Sequence, residues 1–229
     1  MLLAAGSGER FGGGTPKQYV SLDGLPLVAY ALKTLEDCPL VEQILVIAKE
    51  GTLPQMQAII DDCRIHKAKD IIPGGTSRRD SVLRGLRHLA SLGAEEDDLL
   101  AICDGDRPNQ TCAMLEEGFR AAEKEGAAVV ALPVSDSILY SEDGEEVGRY
   151  LPRERIYAAQ TPQVFRFTLI KQAHERALGD RLLESCTDDA SLVRASGGKV
   201  KIIAGSPDNI KINTRKDALC FRYGKEEEA

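Results

Sequence analysis

Two apolar runs, Ile44-Leu45-Val46-Ile47 and Val129-Val130-Ala131-Leu132, constrain this chain most. Each is continuous rather than alternating and too short for a core helix, so each suits a strand covered on both faces. Strands are predicted at 1–5, 43–48, 70–73, 99–103 and 127–133, with segments of helical period between them at 25–36, 53–63, 77–91 and 111–125. In the third of these, Val82, Leu83, Leu86, Leu89 and Ala90 share one face. Such alternation predicts βαβ units and an α/β fold with a mostly parallel sheet. A chain of 229 residues can bury the core this needs. The first strand is short, because Met1 stands only two residues before Leu3-Ala4-Ala5-Gly6, which leaves open whether a few residues are missing ahead of it.

The alternation breaks at 135–156. Ser137-Ile138-Leu139-Tyr140 and Val147-Gly148-Arg149-Tyr150-Leu151 flank an acidic loop containing Asp143-Gly144, the pattern of a β-hairpin. A two-stranded ribbon is marginal alone, so this one is expected to pack on something, a second subunit being a good candidate. Beyond it the sequence predicts helices at 166–177 and 188–195, strands at 199–204 and 209–212, and a final helix at 215–223.

Composition excludes several functions. A net charge of −7 argues against general nucleic-acid binding, which favours a basic face. The six cysteines are scattered without a C-x-x-C pair and only three histidines accompany them, so no zinc pattern is present. Reduced, mostly buried thiols are the default reading. No apolar run reaches the roughly 18 residues of a membrane span, and no signal peptide opens the chain; a cytoplasmic protein is expected.

Ligands of open α/β sheets collect beyond the carboxyl ends of the strands, and five polar motifs fall there. Gly6-Ser7-Gly8-Glu9-Arg10-Phe11-Gly12-Gly13-Gly14-Thr15-Pro16-Lys17 follows the first strand. Its glycines allow close backbone approach to an anion, and Arg10 and Lys17 add the charge that a polyphosphate needs. It is neither a Walker A loop, because Lys17 follows Pro16 and precedes Gln18, nor a dinucleotide fingerprint. Gly74-Gly75-Thr76-Ser77-Arg78-Arg79-Asp80-Ser81 leads from a strand into a helix and can cradle a base or phosphate, although the same letters suit a plain turn with Ser77 as N-cap. Asp104-Gly105-Asp106-Arg107-Pro108 closes an apolar strand. Carboxylates placed there are costly unless they bind a metal or a donor, and hard oxygen ligands suit Mg²⁺. Thr161-Pro162-Gln163-Val164-Phe165 reads as an extended proline turn packing Phe165 into the core. The last motif, Gly205 to Asn213, sets Asp208 and Lys211 just before and within the short strand at 209–212.

In this order the motifs resemble the 2-C-methyl-D-erythritol 4-phosphate cytidylyltransferases of isoprenoid precursor synthesis. The resemblance also takes in Pro16-Lys17-Gln18-Tyr19, Thr187-Asp188-Asp189-Ala190-Ser191 and Asn209-Ile210-Lys211-Ile212. It implies one nucleotidyltransferase domain over 1–229, Rossmann-like and of the nucleotide-diphospho-sugar transferase type. The hairpin at 135–156 would be the arm of a homodimer. It further implies CMP transfer from CTP to a polyol phosphate with Mg²⁺, without nucleic acid or membrane. Arg10, Lys17 and Lys211 would be catalytic. Ala4, Ala5, Gly6, Ser7, Gly8, Gly74, Gly75, Arg78 and Ser81 would bind the nucleotide. Arg107, Ser137, Arg153, Thr161 and Lys211 would hold the acceptor, and Asp104, Asp106 and Asp208 the metal.

Two departures bear on the acceptor and the metal. The family pattern is His-Asp-Ala-Ala-Arg-Pro where this chain has Cys103-Asp104-Gly105-Asp106-Arg107-Pro108, and Ser137 stands where threonine is usual. Asp106 is therefore either a second metal ligand or a charge that weakens phosphate binding. A ribitol-5-phosphate cytidylyltransferase and a non-catalytic nucleotide-binding relative are the alternatives. The Asp-x-Asp spacing also suggests a metal-dependent glycosyltransferase, against which the Lys17 loop argues.

Overall fold

A computed structural model describes residues 1–6, 8, 11, 16–180, 183, 185–227. The continuous apolar runs form the centre of a seven-stranded sheet. Its strands are β1 (Leu2–Ala4), β4 (Ile44–Ala48), β5 (Ala68–Pro73), β6 (Leu99–Asp104), β7 (Ala127–Pro133), β10 (Tyr157–Arg166) and β11 (Lys201–Ala204), in the order β11-β7-β10-β6-β1-β4-β5. Only β10 runs antiparallel to its neighbours. A small antiparallel pair, β2 (Ser21–Leu22) and β3 (Leu25–Pro26), precedes the first helix.

Alternation along each strand divides the core in two. Leu2, Ala4, Ile44, Val46, Ala101 and Cys103 face α1 (Leu27–Asp37), α2 (Leu53–Asp62) and α4 (Cys112–Glu125). Leu45, Ile47, Leu100, Ile102 and Phe165 face α3 (Arg78–Ser91), α5 (Phe167–Ala177) and α6 (Asp189–Ala195). Both faces are thus dry, which is why these strands show no polar alternation. The predicted helices start where their caps stand: Ser77, Thr111 and Asp188 each accept a backbone N–H from the third residue of the helix that follows. Among the described residues no helix is long and apolar enough to cross a membrane.

Three expectations change. The segment around Pro162 is no turn but lies within the ten-residue strand β10, between β6 and β7. Proline in a strand interior removes a ladder donor. Here it sits where the pairing with β7 shifts register between Ala159 and Gln163, so the strand continues past it, and Phe165 is buried as expected. Residues 209–212 form no strand; Ile212 N donates to Asp106 O at 2.9 Å and buries its side chain beside Phe221. The last helix, α7 (Arg215–Glu227), runs past 223.

The hairpin is present as β8 (Ile138–Tyr140) and β9 (Arg149–Leu151), paired with each other and with no strand of the large sheet. Its turn is closed by Asp143, whose carboxylate accepts from the backbone of Glu146 and Glu145 and from the Ser141 hydroxyl; these bonds hold its pKa down at about 2.

Candidate active site

Parallel strands β1, β4, β5 and β6 end side by side, and the loops that leave them surround a cleft of about 900 Å³. That is at the upper end of small-molecule sites. Ala5, Gly6, Gly8, Lys17, Gly74, Gly75, Arg78, Ser81, Asp104, Asp106 and Lys211 all line it. Five cationic side chains among its lining residues (Lys17, Lys49, Arg78, Arg84, Lys211) face three acidic ones (Glu50, Asp104, Asp106), so the cleft favours an anion.

Two glycines are required for this shape. Gly8 has φ +69°, and a Cβ there would stand 2.7 Å from Lys17 N, so any side chain would push the loop off the lysine turn. A Cβ on Gly74 would lie 2.4 Å from the Ala5 Cβ. The two strand exits can close on one another only without it. Ser81 fixes the second loop: its hydroxyl accepts from Gly75 N at 3.0 Å and donates to Ser77 O at 2.9 Å. Ser77 is also the helix cap, so the plain turn and the cleft wall are one structure.

The charges interlock at the mouth of β6. Lys17, buried in the short turn Lys17–Tyr19, places Nζ 2.6 Å from Asp106 Oδ2 and 2.7 Å from Asn213 Oδ1. Lys211 Nζ donates to Asp104 Oδ2 at 2.8 Å and lies 3.8 Å from Asp106 Oδ1. Arg78 links this cluster to a second one, with Nε 3.7 Å from Asp104 and Nη1 2.7 Å from Asp189. Burial alone pushes the Asp104 carboxyl upward, but Lys211 and Arg78 outweigh it and hold it below its ordinary range. Asp189 behaves likewise: burial raises it, and His174 at 2.9 Å together with Arg78 brings it below normal.

Other predicted residues lie elsewhere. Ala4 is buried within β1 and does not line the cleft. Thr161 and Arg107 sit beneath the floor: the Thr161 hydroxyl accepts from Asp104 N at 3.1 Å, and Arg107 donates to Asn209 O at 2.7 Å. These bonds seat the end of β6 and the Lys211 loop, so the two residues position the site rather than line it. Asp208 does not line the cleft; its carboxylate accepts from the Ser206 hydroxyl at 3.1 Å. Ser137 and Arg153 stand exposed at the arm, where Arg153 donates to Ser135 O. Ser7 and Arg10 lie outside the described residues.

Four further residues shape the site. Gln18 donates from one amide to Ala4 O (2.6 Å) and Gly6 O (2.9 Å), tying the lysine turn to the end of β1. Asp189 and His174 are buried behind Arg78 and hold it in place. Asn213, two residues after Lys211, lines the cleft with it and accepts from Lys17 Nζ.

A metal would find hard oxygens here. Asp104 and Asp106 meet the same ammonium, and Asp106 Oδ1 is buried without a hydrogen-bond partner. Among the described residues no three His, Cys, Asp or Glu side chains converge enough to hold a metal by themselves. Two carboxylates whose ion is completed by phosphate oxygens and water are a usual Mg²⁺ arrangement, so the residues fit.

A cationic cleft at the carboxyl ends of parallel strands, with lysines from two loops converging on paired carboxylates, belongs to a nucleotidyltransferase. The family model for IspD, 2-C-methyl-D-erythritol 4-phosphate cytidylyltransferase, matches residues 1–222, and the chain belongs to that family. The 2-C-methyl-D-erythritol 4-phosphate cytidylyltransferase of Geotalea uraniireducens (strain Rf4) is 40% identical over 220 residues, covering 96% of this chain and 92% of its own. The crystal structure of the enzyme of that name from Thermus thermophilus superposes with a TM-score of 0.73 at 29% identity, over 97% of this chain and 96% of that one. In fold alone, the 4-diphosphocytidyl-2C-methyl-D-erythritol synthase of Anaerococcus prevotii gives a TM-score of 0.83 at 24% identity, over 98% and 94%.

Proposed function

We propose that this chain transfers CMP from CTP to 2-C-methyl-D-erythritol 4-phosphate, releasing pyrophosphate. One observation carries the reading: Lys17 and Lys211, from opposite ends of the sequence, meet over Asp104 and Asp106 at the cleft floor.

The acceptor's phosphate is already an anion, so its oxygen attacks the α-phosphorus of CTP without a protein base. A bond forms between that oxygen and the α-phosphorus, and the bond from the α-phosphorus to the bridging oxygen of the β-phosphate breaks. Catalysis then rests on alignment and on neutralising charge. Lys211 serves the α-phosphate and the acceptor phosphate. Lys17, with Arg10, serves the triphosphate and the departing pyrophosphate. Gly74, Gly75 and Ser81 receive the cytosine. Arg78, clamped by Asp189, keeps Asp104 ionised. Asp104 and Asp106 would hold Mg²⁺, which supplies electrostatic stabilisation of the phosphate oxygens when bound.

Ser137 and Arg153 do not reach the cleft of their own chain, which supports a homodimer in which the arm serves a second copy's site. Leu139, Tyr140, Val147 and Tyr150 are exposed on the arm and offer the apolar surface for that contact. Six free cysteines fit a reducing cytoplasm.

A pyrophosphate-release assay tests the reading. Turnover is expected only when CTP, Mg²⁺ and 2-C-methyl-D-erythritol 4-phosphate are present together. Faster turnover with ribitol 5-phosphate would assign the acceptor differently. No turnover by a folded dimer over a panel of polyol phosphates would reject the enzyme.

A further inference from the structure

Asp106 holds the Lys17 ammonium that the proposed function assigns to the triphosphate. Its carboxylate lies between the two lysines of the site, 2.6 Å from Lys17 Nζ and 3.8 Å from Lys211 Nζ. Lys17 has three donors, and Asp106 and Asn213 take two of them. A bare triphosphate entering the cleft must therefore compete with a carboxylate for the same ammonium and sit beside its negative charge. The ion pair is well shielded, with side chains 11% and 13% exposed, so solvent weakens that repulsion little. Yet Asp106 is not satisfied by Lys17. Its Oδ1 is buried with no hydrogen-bond partner, 3.8 Å from Lys211 Nζ.

We propose that Asp106 is a positioning residue that holds Lys17 as a counter-ion until a divalent cation takes its carboxylate, so that triphosphate binding is conditional on the cation. The inference rests on the nucleotidyl-transfer reading above. With the cation present, the carboxylate and the phosphates share one positive centre instead of repelling each other, and Lys17 turns from Asp106 to the phosphates. Asp104 is not equivalent, because Lys211, Arg78 and Arg107 all surround it. Asp106 is thus the acidic group whose removal changes the balance at Lys17.

The test is calorimetric titration of the full-length protein with tripolyphosphate, which carries no base, and with CTP, each in EDTA and in Mg²⁺. The native protein is expected to bind both ligands at least about tenfold more tightly with Mg²⁺. Asp106→Asn keeps the shape and removes the charge. It should tighten binding in EDTA by about tenfold and shrink the Mg²⁺ effect correspondingly. Asp106→Ala should change binding in the same direction. A merely structural counter-ion, once neutralised, would tighten binding equally in EDTA and in Mg²⁺ and leave the Mg²⁺ effect unchanged. Equal native affinities in EDTA and Mg²⁺ would overturn the proposal, as would an Asp106→Asn protein bound no better in EDTA. Unfolding of both variants would overturn it too, since Asp106 would then be a fixed partner of Lys17. If tripolyphosphate shows the switch but CTP and the acceptor never react, the function falls and the switch stands. If they react and Asp106→Asn keeps the full Mg²⁺ effect on binding, the switch falls and the function stands.

Discussion

The cleft and the arm hold functional side chains by opposite means. At the cleft floor and behind it the buried charges share partners: Asp104 meets Lys211, Arg78 and Arg107, and Asp189 meets Arg78 and His174. In the arm, Arg153 makes one bond to a backbone oxygen and a 3.9 Å ion pair with the adjacent Glu154, and is otherwise in water. A pre-organised site can work on developing charge without rearranging, whereas an exposed pair contributes little until something desolvates it. The cleft charges are thus organised by their own ion pairs, whereas Ser137 and Arg153 stand exposed on the arm, as the proposed dimer requires.

The strongest way to break this comparison is to neutralise the residue that anchors the cleft from behind. Asp189→Asn leaves Arg78 without its close partner and the buried His174 without its carboxylate. It should cost about 3–5 kcal/mol, a fall in Tm on the order of 10 °C for a chain this size. The pH dependence has a definite sign. The folded pKa of Asp189 is below its ordinary value of 3.8, so its contribution is present above that value and is lost as pH falls through the folded pKa. Asp189→Asn should flatten the stability profile on that acid side; an unchanged profile would mean that the pair is not a stabilising element. Next in size, Lys17→Ala should lower pyrophosphate release by about 100- to 1000-fold, as expected for removing a pre-organised charge from a transition state. A loss below tenfold, with folding retained, would show that Lys17 belongs to the frame and not the chemistry.

The same contrast explains what could be read from the sequence. Strands covered on both faces declare themselves by continuous apolar runs, so β4, β6 and β7 were legible to within a residue or two. Strand β10 was not, because Pro162 breaks the pattern and only the β7 register shift accommodates it. Cleft residues on strand exits, such as Lys17, Gly74 and Asp104, were legible because local sequence fixes where a strand ends. Asp189 and His174 were assigned no role: they act through Arg78, over a hundred positions away from Asp189, and long-range pairing leaves no local signature. Asp208 shows the converse. The resemblance implies it as a metal ligand, but it sits in a turn where its carboxylate accepts from the Ser206 hydroxyl, and it does not line the cleft.

Arg153→Ala tests the arm directly. If the arm serves a second copy, KM for the acceptor should rise about tenfold or more, as for loss of one charge-assisted hydrogen bond to phosphate, with Tm unchanged. Mixing Lys17→Ala with Arg153→Ala subunits should then restore roughly a quarter of native activity, since half the dimers are mixed and each has one intact site. No recovery after confirmed subunit exchange would place Arg153 at its own chain's site and dissolve the contrast.

The smallest effect separates the arm from the body most cleanly. Gly144 has φ +80° at the arm's tip and donates its N–H to the Ser141 hydroxyl at 2.9 Å. A Cβ added there meets nothing within 4 Å, so Gly144→Ala acts through backbone conformation alone. It should destabilise the turn by about 1 kcal/mol. Because β8 and β9 pair only with each other, that cost stays in the arm and the melting of the body should not change. If the arm is a dimer element, dimer dissociation measured by sedimentation should increase several-fold, as that energy implies. A lower Tm with unchanged dimerisation would instead tie the arm to its own body and leave Arg153 without a second site to serve.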